Sequence, residues 1–571
     1  MMGKRLDGAR RSGRRKKNMS GSLWKISGGC VYDPLHGVDG QIRDLWIRDG
    51  KIVESPSDPT VRAERTLDAA GTVVMPGGVD MHCHIAGPKV NVARKMRPEE
   101  KRQAEPVMRT AGTRSGTMGS VPSTFATGYK YAGLGYTTAF DAAVPPLAAL
   151  HAHEEFEDTP CIDKGFYVLM GNNHYVMKSI RDRQPEQLRG FVAWLLGASK
   201  GFAVKLVNPG GVEVWKHHAG GNVHSLDDRV DCYDVTPRGI IQGVAAAVDE
   251  LRLPHSVHIH CNSLGMPGNW RTTLATMQAL EGRRGHITHI QFHSYGGGEG
   301  DETTFSSRVA PLAEYVNSHP NITVDVGQVL FGETTSMTGD GPLGYYLHNV
   351  YGTKWFSADI EMEAGCGIAP IQYRNKSLVH AWQWAIGLEW YLMVQDPWRV
   401  VMSTDHPNGG SFLAYPQIIR LLMDRTYRHD VLQTVHPQVR EQSALRDLDR
   451  EYTLGEIAII TRAGPAKILG LKNKGHLGPG ADADITVYSP CEDRERMFQL
   501  PKYVIKSGRV LVEDGEIREN WIGKTLFVRP EYDRSIEDDI SKWFERYYTV
   551  RFRNYGVADG MLHHIEAVRC S

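Results

Sequence analysis

Two histidines separated by one residue stand at the end of an apolar run. Val74–Val79 leads into Asp80-Met81-His82-Cys83-His84. Because side chains alternate between the two faces of a strand, His82 and His84 point the same way and Cys83 points the opposite way. Two converging imidazoles at the end of a buried strand are a good start for a metal site. The same spacing recurs in two further pairs, His151/His153 and His258/His260, so the pair alone predicts nothing.

A lysine interrupts a second apolar run. Lys205 lies inside Phe202–Val207, where an ammonium group is costly unless it is paired or modified. A buried lysine with a lowered pKa can react with CO₂ to give a carbamate, whose two oxygens can bridge a pair of metal ions. The structural alternative is an edge position from which the ammonium reaches solvent.

Other apolar runs also end in residues that bind metals or move protons. They contribute His258 and His260, His289 and His293, and Asp405 in Ser403-Thr404-Asp405-His406-Pro407. An aspartate after an apolar strand is often a helix cap, which is the alternative interpretation of Asp405.

Apolar β-branched runs alternate with helical patterns in the middle of the chain, which predicts an α/β fold. Eight such strands separated by helices are typical of a (β/α)₈ barrel, whose chemistry lies at the carboxyl ends of the strands. The predicted strands are Val73–His84, Tyr136–Ala142, Gly165–Leu169, Phe202–Val207, Ser256–Cys261, Ile287–His293, Ile322–Val326 and Val400–Ser403.

Short alternating runs with Asp-Gly turns occur near both ends of the chain and predict one flanking β-subdomain. The predicted organisation is a disordered basic extension (1–21), a β-sandwich subdomain (22–74 and 470–526), a barrel (75–469) and a C-terminal helical extension (527–571). In the extension, Ser535-Ile536-Glu537-Asp538 opens a helix with an aromatic face, which packs on the barrel or contacts another subunit. Met1 and Met19 are alternative natural starts.

Composition narrows the classes of partner. The 571 residues carry 66 Lys and Arg against 66 Asp and Glu, and this formal net charge of zero predicts neither a nucleic-acid nor a membrane partner. We find no apolar run long enough for a bilayer span. The eight cysteines are scattered without a C-x-x-C motif, which argues against iron–sulfur clusters and disulfides and predicts a reducing, cytoplasmic setting.

The ordered set of strand-end residues resembles the amidohydrolase superfamily. The resemblance implies an amidohydrolase-type barrel flanked by a β-sandwich, holding two divalent metal ions, with zinc expected, bridged by a carboxylated Lys205. Asp405 would be the catalytic proton carrier as well as a ligand. The implied metal ligands are His82, His84, Lys205, His260, His289 and Asp405.

Two of these ligands have close rivals. His260-Cys261-Asn262 resembles the superfamily's fifth-strand motif, so His260 is favoured over His258. His289 is favoured over His293 on the sixth strand. The predicted substrate-binding or supporting residues are His258, His293, Asn208 and Asn262.

A finer resemblance rests on four motifs and extends from about Leu23 to about Phe527. It is to the family that contains the A subunit of formylmethanofuran dehydrogenase and the alpha subunit of the bacterial formyltransferase/hydrolase complex. It implies hydrolysis of an N-formyl-aminomethylfuran carrier (methanofuran or methylofuran type) to formate and free carrier, with the other subunits of the complex as partners. The motifs are Val207-Asn208-Pro209-Gly210-Gly211, His260-Cys261-Asn262-Ser263-Leu264-Gly265, Gln291-Phe292-His293-Ser294-Tyr295-Gly296-Gly297 and Ser403-Thr404-Asp405-His406-Pro407-Asn408.

Three alternative functions stay open at this point. They are a formate-condensing A subunit of a formylmethanofuran dehydrogenase, a stand-alone cyclic amidase or N-acyl amino acid deacylase, and a scaffold that has lost its metals. The chain has no iron–sulfur or molybdopterin motif, so a redox step would need other subunits. The segment Gly87–Ser120 is rich in Lys and Arg and is either a solvated loop or a cationic lip for an anionic carrier tail.

Overall fold

Eight parallel strands pair in the order in which they occur along the chain. The computed structural model describes residues 23–103, 109–218, 221–298, 301–360 and 364–570, so the predicted basic extension lies outside the described residues. Cys83 and His406 form an isolated parallel β-bridge, and the His84 N–H donates to the His406 carbonyl (2.8 Å). These contacts connect the first strand to the segment after the eighth. The strands are Gly78–Cys83, Tyr136–Val144, Asp163–Leu169, Ala203–Val207, Val257–His260, Gly285–Ile287, Ile322–Asp325 and Val400–Val401.

Helices follow the strands, as the alternating pattern predicts, and the predicted α/β barrel is confirmed. In Pro237–Glu250, Thr236 caps the first turn by accepting from the Gly239 N–H, and a buried face of Ile240, Ile241 and Val244 packs inward. The described α-helices are Pro88–Met96, Pro98–Gln103, Thr124–Gly133, Ala149–Asp158, His174–Arg181, Pro185–Ser199, Gly211–His217, Pro237–Glu250, Trp270–Ala279, Val309–Ser318, Gly341–Tyr351, Leu378–Met393, Tyr415–Met423, Arg425–Thr434, Pro437–Gln442, Leu454–Ala458, Gly464–Ile468, Arg494–Gln499 and Ile536–Tyr547.

Two predicted strands differ from the observed ones by more than two residues at an end. The predicted Val73–His84 divides at Gly77 into Val73–Pro76, which pairs in the β-subdomain, and Gly78–Cys83, which pairs in the barrel. The predicted Ile287–His293 is wrong beyond Ile287, because His289 has a φ of 33° and Ile290–His293 forms a single 3₁₀ turn. His289 therefore lies just beyond the carboxyl end of the sixth strand rather than within it.

A nine-stranded sheet built from both chain ends flanks the barrel, as predicted. Trp24–Asp33 is its junction, since it pairs with three other strands. The sheet encloses a core of its own that includes Trp24, Ile26, Ile47, Val487 and Ile505. The strands are Trp24–Asp33, Val38–Arg48, Lys51–Val53, Arg65–Asp68, Val73–Pro76, Ile485–Tyr488, Tyr503–Lys506, Arg509–Glu513 and Glu516–Ile517.

The C-terminal extension packs on the barrel and is not only helical. Ile540 and Phe544 of its helix are buried, and the Phe544 ring lies edge-on to Trp194 on a barrel helix. Two strands, Thr525–Val528 and Ile565–Val568, add to the barrel sheet beside its third strand. No helix within the described ranges has the length and apolar character that a bilayer crossing requires.

The mouth of the barrel is covered by segments inserted after the sixth and seventh strands. A hairpin of Tyr295–Gly298 and Asp301–Ser307 follows the sixth strand. A three-stranded sheet and the helix Gly341–Tyr351 follow the seventh. The strands of that sheet are Gly332–Thr338, Phe356–Ile360 and Ala364–Tyr373.

A buried cluster of charges joins the barrel to the β-subdomain. Asp163 on the third barrel strand accepts from Lys474 and Lys506 at 2.6 Å each, and both lysines also donate to Asp484. Burial alone would raise the pKa of Asp163, but the two lysines outweigh it and hold the pKa well below its ordinary value. The carboxylate therefore stays ionised and compensates two buried ammonium groups.

Removing this compensation should destabilise the protein. We expect Asp163→Asn to lower the free energy of unfolding by about 3–5 kcal/mol, because two lysines would stay buried with less opposing charge. The measurement is the urea midpoint at neutral pH. Asp44→Asn is the control, since the pair it forms with Lys25 is partly exposed and should be worth less than about 1 kcal/mol. Equal effects of the two changes would contradict a structural role for the cluster.

Candidate metal centre

A cavity of about 260 Å³ opens at the carboxyl ends of the barrel strands. Its walls contain side chains from the ends of the first, fourth, fifth, sixth and eighth strands. All six residues that the amidohydrolase resemblance implies as ligands are among its lining residues: His82, His84, Lys205, His260, His289 and Asp405.

The floor of this cavity brings histidine nitrogens and a carboxylate together. One ligand atom from each of His82, His289 and Asp405 lies within 4.8 Å of the others. The Asp405 Oδ1 atom is 3.0 Å from His82 Nε2 and 3.0 Å from His84 Nε2. Among the described residues, the buried His289 Nδ1 atom has no hydrogen-bond partner, and His82 Nε2 faces the Asp405 carboxylate, which has no proton to donate. Such unsatisfied lone pairs facing a carboxylate are the donor set of a divalent metal site.

The burial of the Lys205 side chain costs free energy. It is buried, and within the described part of the chain its Nζ atom has no hydrogen-bond partner. Burial lowers the pKa of Lys205 to about 7, although the carboxylates of Asp325 and Asp405 oppose the shift. A substantial fraction of the amine is therefore neutral, and thus nucleophilic, at neutral pH, as carbamate formation requires.

Asp405 is held by its own turn. Its backbone has a φ of 50°, and its N–H donates to Ser403 Oγ at 2.8 Å. Burial alone would raise the pKa of Asp405, but His82 and His84 outweigh it and hold the pKa well below its ordinary value. Asp405 is therefore a carboxylate, able to accept a proton or to bind a cation. It does not cap a helix: the described helix that follows begins at Tyr415.

The rival histidines lie at different depths from the favoured ones. His260 lines the cavity, whereas His258 lies below it, with Nε2 3.1 Å from His82 Nδ1 and Nδ1 3.0 Å from His255 Nε2. His293 is buried beside His260 and His289 but is not a lining residue. Neither histidine meets the cavity.

Asn208 and Asn262 also support the site from behind. Asn262 Nδ2 donates to Asn208 Oδ1 (2.8 Å), and Asn208 Nδ2 donates to Asp340 Oδ1 (3.0 Å). The other Asp340 oxygen lies 3.1 Å from His260 Nε2. The two amides and Asp340 thus form one network that holds the His260 ring, and neither asparagine lines the cavity.

Sequence reasoning missed Asp340 and misjudged Lys89. Asp340 follows a strand of the insertion and precedes its helix, so it lies at no predicted barrel strand end. Lys89 belongs to the basic segment Gly87–Ser120, but it is buried, with Nζ 3.1 Å from His84 Nδ1 and donating to the Ala143 carbonyl (2.7 Å). The described basic side chains of that segment are not among the cavity's lining residues, so the predicted cationic lip receives no support.

The outer part of the cavity is mainly apolar. The turn Ile290–His293, the hairpin, the inserted sheet and helix, and the helix Leu378–Met393 supply its walls. They include Phe292, Phe305, Leu343, Tyr346, Leu347, Tyr373, Val379 and, as polar members, Ser377, His380 and Gln383. A flat, weakly polar group attached to the reacting centre fits such a chamber.

Eight parallel strands with these residues at their carboxyl ends define the amidohydrolase class of protein. The buried Lys205 Nζ and His289 Nδ1 atoms fit a divalent metal centre of that class, because within the described residues each lacks a partner that a metal or a carbamate would supply. The chain belongs to the amidohydrolase family, whose sequence model matches residues 65–512.

Within that family, two proteins and one crystal structure are similar to this chain over almost its whole length. Protein FwdA of Methanocaldococcus jannaschii is 47% identical over 557 residues, which span 94% of this chain and 96% of that protein. The A subunit of the formyltransferase/hydrolase complex Fhc of Methylorubrum extorquens is 39% identical, over 94% and 97%. The crystal structure of the M. extorquens complex FhcABCD with methylofuran contains a chain with a TM-score of 0.90 and 37% identity, covering 96% of this chain and all of that one.

The lowered pKa of Lys205 predicts a pH-dependent stability in the metal-free protein. The amine has a pKa of about 7 when folded and an ordinary value of 10.5, so the unfolded chain binds more protons between these values. Stability should therefore rise with pH in that window, by about 1 kcal/mol per pH unit.

We expect metal-free Lys205→Met, in CO₂-free buffer, to be more stable than the wild type at pH 7 and to lose most of that advantage by pH 9. Urea midpoints at both pH values measure this. An advantage that is the same at both would contradict a neutral Lys205.

Proposed function

We propose that this chain is the A, or alpha, subunit of a one-carbon formyltransferase/hydrolase complex. In that role it hydrolyses an N-formyl-aminomethylfuran carrier, formylmethanofuran or formylmethylofuran, to formate and the free carrier. The observation that carries the proposal is the convergence of His82, His84, Lys205, His289 and Asp405 on one cavity. The full-length similarity to the A chain of the Fhc complex supports the choice of substrate and of partner subunits.

The predicted ligand set would hold two divalent ions, with zinc as the expected metal. His82, His84, Lys205 as a carbamate, His260, His289 and Asp405 supply nitrogen and oxygen donors that zinc prefers. Such ions, when bound, would polarise the formamide carbonyl and make water nucleophilic near neutral pH.

The residues of the chain supply the proton transfers. Asp405, ionised in the folded protein, accepts a proton from the attacking water. As the C–N bond of the formamide breaks, Asp405 returns that proton to the leaving nitrogen. One water is consumed, and formate and the free amine of the carrier are the products.

The remaining walls position the carrier. Phe292, Phe305 and Leu347 offer an apolar chamber for the furan ring, so the formamide group reaches the floor of the cavity. Displacement of water by the ring also strengthens the electrostatic interactions of the floor.

The proposal also includes a cellular location and a direction of reaction. We place the chain in the cytoplasm with the other subunits of its complex, because the cysteines with described side chains are free thiols. Condensation of formate with the carrier would use the same cavity in reverse, and a dehydrogenase partner would then supply the redox centre. A stand-alone cyclic amidase is not favoured, since the full-length relative from M. extorquens is a subunit of a formyltransferase/hydrolase complex.

The direct test is formate release by the purified native complex. We expect the complex to release one formate for each N-formyl carrier consumed, without an electron acceptor. Activity of the isolated chain on dihydropyrimidines, with none on the formyl carrier, would overturn the proposal. Co-purification of a tungsten or molybdenum dehydrogenase would instead favour formate condensation.

Asp405→Asn should separate metal binding from proton transfer. The amide keeps an oxygen donor but cannot accept the proton, so we expect metal to stay bound while kcat falls by about 10³-fold or more. Metal analysis and formate assays measure the two effects.

Asp396→Asn is the matched control. Asp396 caps a 3₁₀ turn at the opposite end of the eighth strand and is exposed. Full activity of Asp405→Asn would refute the proton-transfer role, and loss of activity in the control would show that the effect is not specific.

A further inference from the structure

The carboxyl end of the seventh strand carries a buried carboxylate that the proposed mechanism does not use. Asp325 is fully buried, on a strand that contributes no predicted ligand. We propose that Asp325 is the positioning residue of the metal centre, acting through His82 and His289 together. The proposal rests on the function argued above, because it concerns the ligands of the same site.

The two oxygens of Asp325 contact groups from three elements of the site. Oδ2 lies 3.1 Å from His82 Nδ1 and 3.0 Å from His286 Nε2, and it accepts from Thr288 Oγ at 2.6 Å. Oδ1 accepts from the backbone N–H of His289 at 2.8 Å. One side chain therefore touches the ring of one predicted ligand and the backbone of another.

The contact with His82 helps to select which ring nitrogen faces the cavity, together with the contacts that Thr288 Oγ and His258 Nε2 make with the same Nδ1 atom. A carboxylate accepts but does not donate, so Asp325 favours a proton on His82 Nδ1 and leaves the Nε2 lone pair free. Nε2 is the nitrogen that lies 3.0 Å from Asp405. A carboxylate behind a metal-binding histidine both fixes the ring and increases its basicity.

The contact with His289 fixes a backbone that rarely forms unaided. His289 has a φ of 33°, a region that non-glycine residues seldom adopt. The hydrogen bond from its N–H to Asp325 helps to hold this turn. Gly327, two residues after Asp325, leaves room for it, because a Cβ there would lie 2.6 Å from the His289 Cβ. The seventh strand thus shapes the position of a sixth-strand ligand.

The test compares Asp325→Asn and Asp325→Ala with the wild type as full chains in their complex. Zinc affinity is measured by chelator competition, and the melting temperature of the metal-free protein reports folding. We expect zinc affinity to fall about 10-fold in Asp325→Asn, which keeps an acceptor, and about 100-fold in Asp325→Ala. Formate release should recover when zinc is in excess, because Asp325 itself touches no substrate.

Glu389→Gln is the matched control. Glu389 is as deeply buried and also accepts from several donors, namely Ser307, Ser443 and the Ala444 N–H, but it contacts none of the predicted ligands. We expect it to lower the melting temperature and to leave zinc affinity within about twofold of the wild type.

The outcomes separate this inference from the proposed function. Unchanged zinc affinity in Asp325→Asn and in Asp325→Ala overturns the positioning role and leaves the proposed function intact. If Asp325→Ala does not fold, the nearly isosteric Asp325→Asn decides alone. A wild-type complex that binds zinc but releases no formate refutes the proposed function, while the affinity series still decides on Asp325. A wild-type complex that binds no zinc overturns both.

Discussion

The rest of the site is arranged around one unfavourable group: the Lys205 amine is buried among imidazoles and carboxylates. Lys205 Nζ meets no hydrogen-bond acceptor among the described residues, and burial holds its pKa near 7. A polar group in this state costs free energy that the surrounding fold must offset. The fold offsets it with a ring of hydrogen-bonded strands and a large apolar core. Under the proposed function, a carbamate on Lys205 and the metal ions it would bind supply the missing partners.

The barrel brings the residues of the site together, and the insertions enclose the cavity that these residues line. Parallel strands end at one edge, so residues far apart in sequence reach one cavity without long side chains. The first and last strands meet where His84 bonds to the His406 carbonyl, beside Asp405. Asp340 then links the inserted helix Gly341–Tyr351 to His260, because it accepts from the Leu343 N–H of that helix and contacts the histidine. Hydrogen bonds through Asp340 therefore connect the helix that covers the cavity to a histidine that lines it.

Periodicity and chain order were sufficient to predict the barrel and the flanking sheet, and the resemblance to the amidohydrolase superfamily singled out six of the residues that line the cavity. Periodicity alone could not choose between His258 and His260. Both lie on the same face of one strand, but Lys205 pairs with His258 and Val207 with His260, so the two histidines occupy successive layers. Asp340 and Lys89 come from segments outside the barrel strands, where no repeating pattern marks a residue that turns toward the site. The cationic lip stays a prediction, because charge in a sequence does not reveal which side chains of a basic segment are buried, as Lys89 is.

The layer below the cavity explains why the site tolerates so many histidines. His258, His255 and His286 lie there with Asp325, beneath His82, in a position that a (β/α)₈ barrel usually fills with branched apolar side chains. Their hydrogen bonds run from His82 to His258 and His255 and end at the Ile468 carbonyl. An apolar layer would fold at lower cost, but it could not fix the protonated nitrogen of His82. The polar layer is therefore understandable only if the orientation of the His82 ring matters. The free-energy cost of this lower layer is in that way linked to the chemistry of the cavity above it.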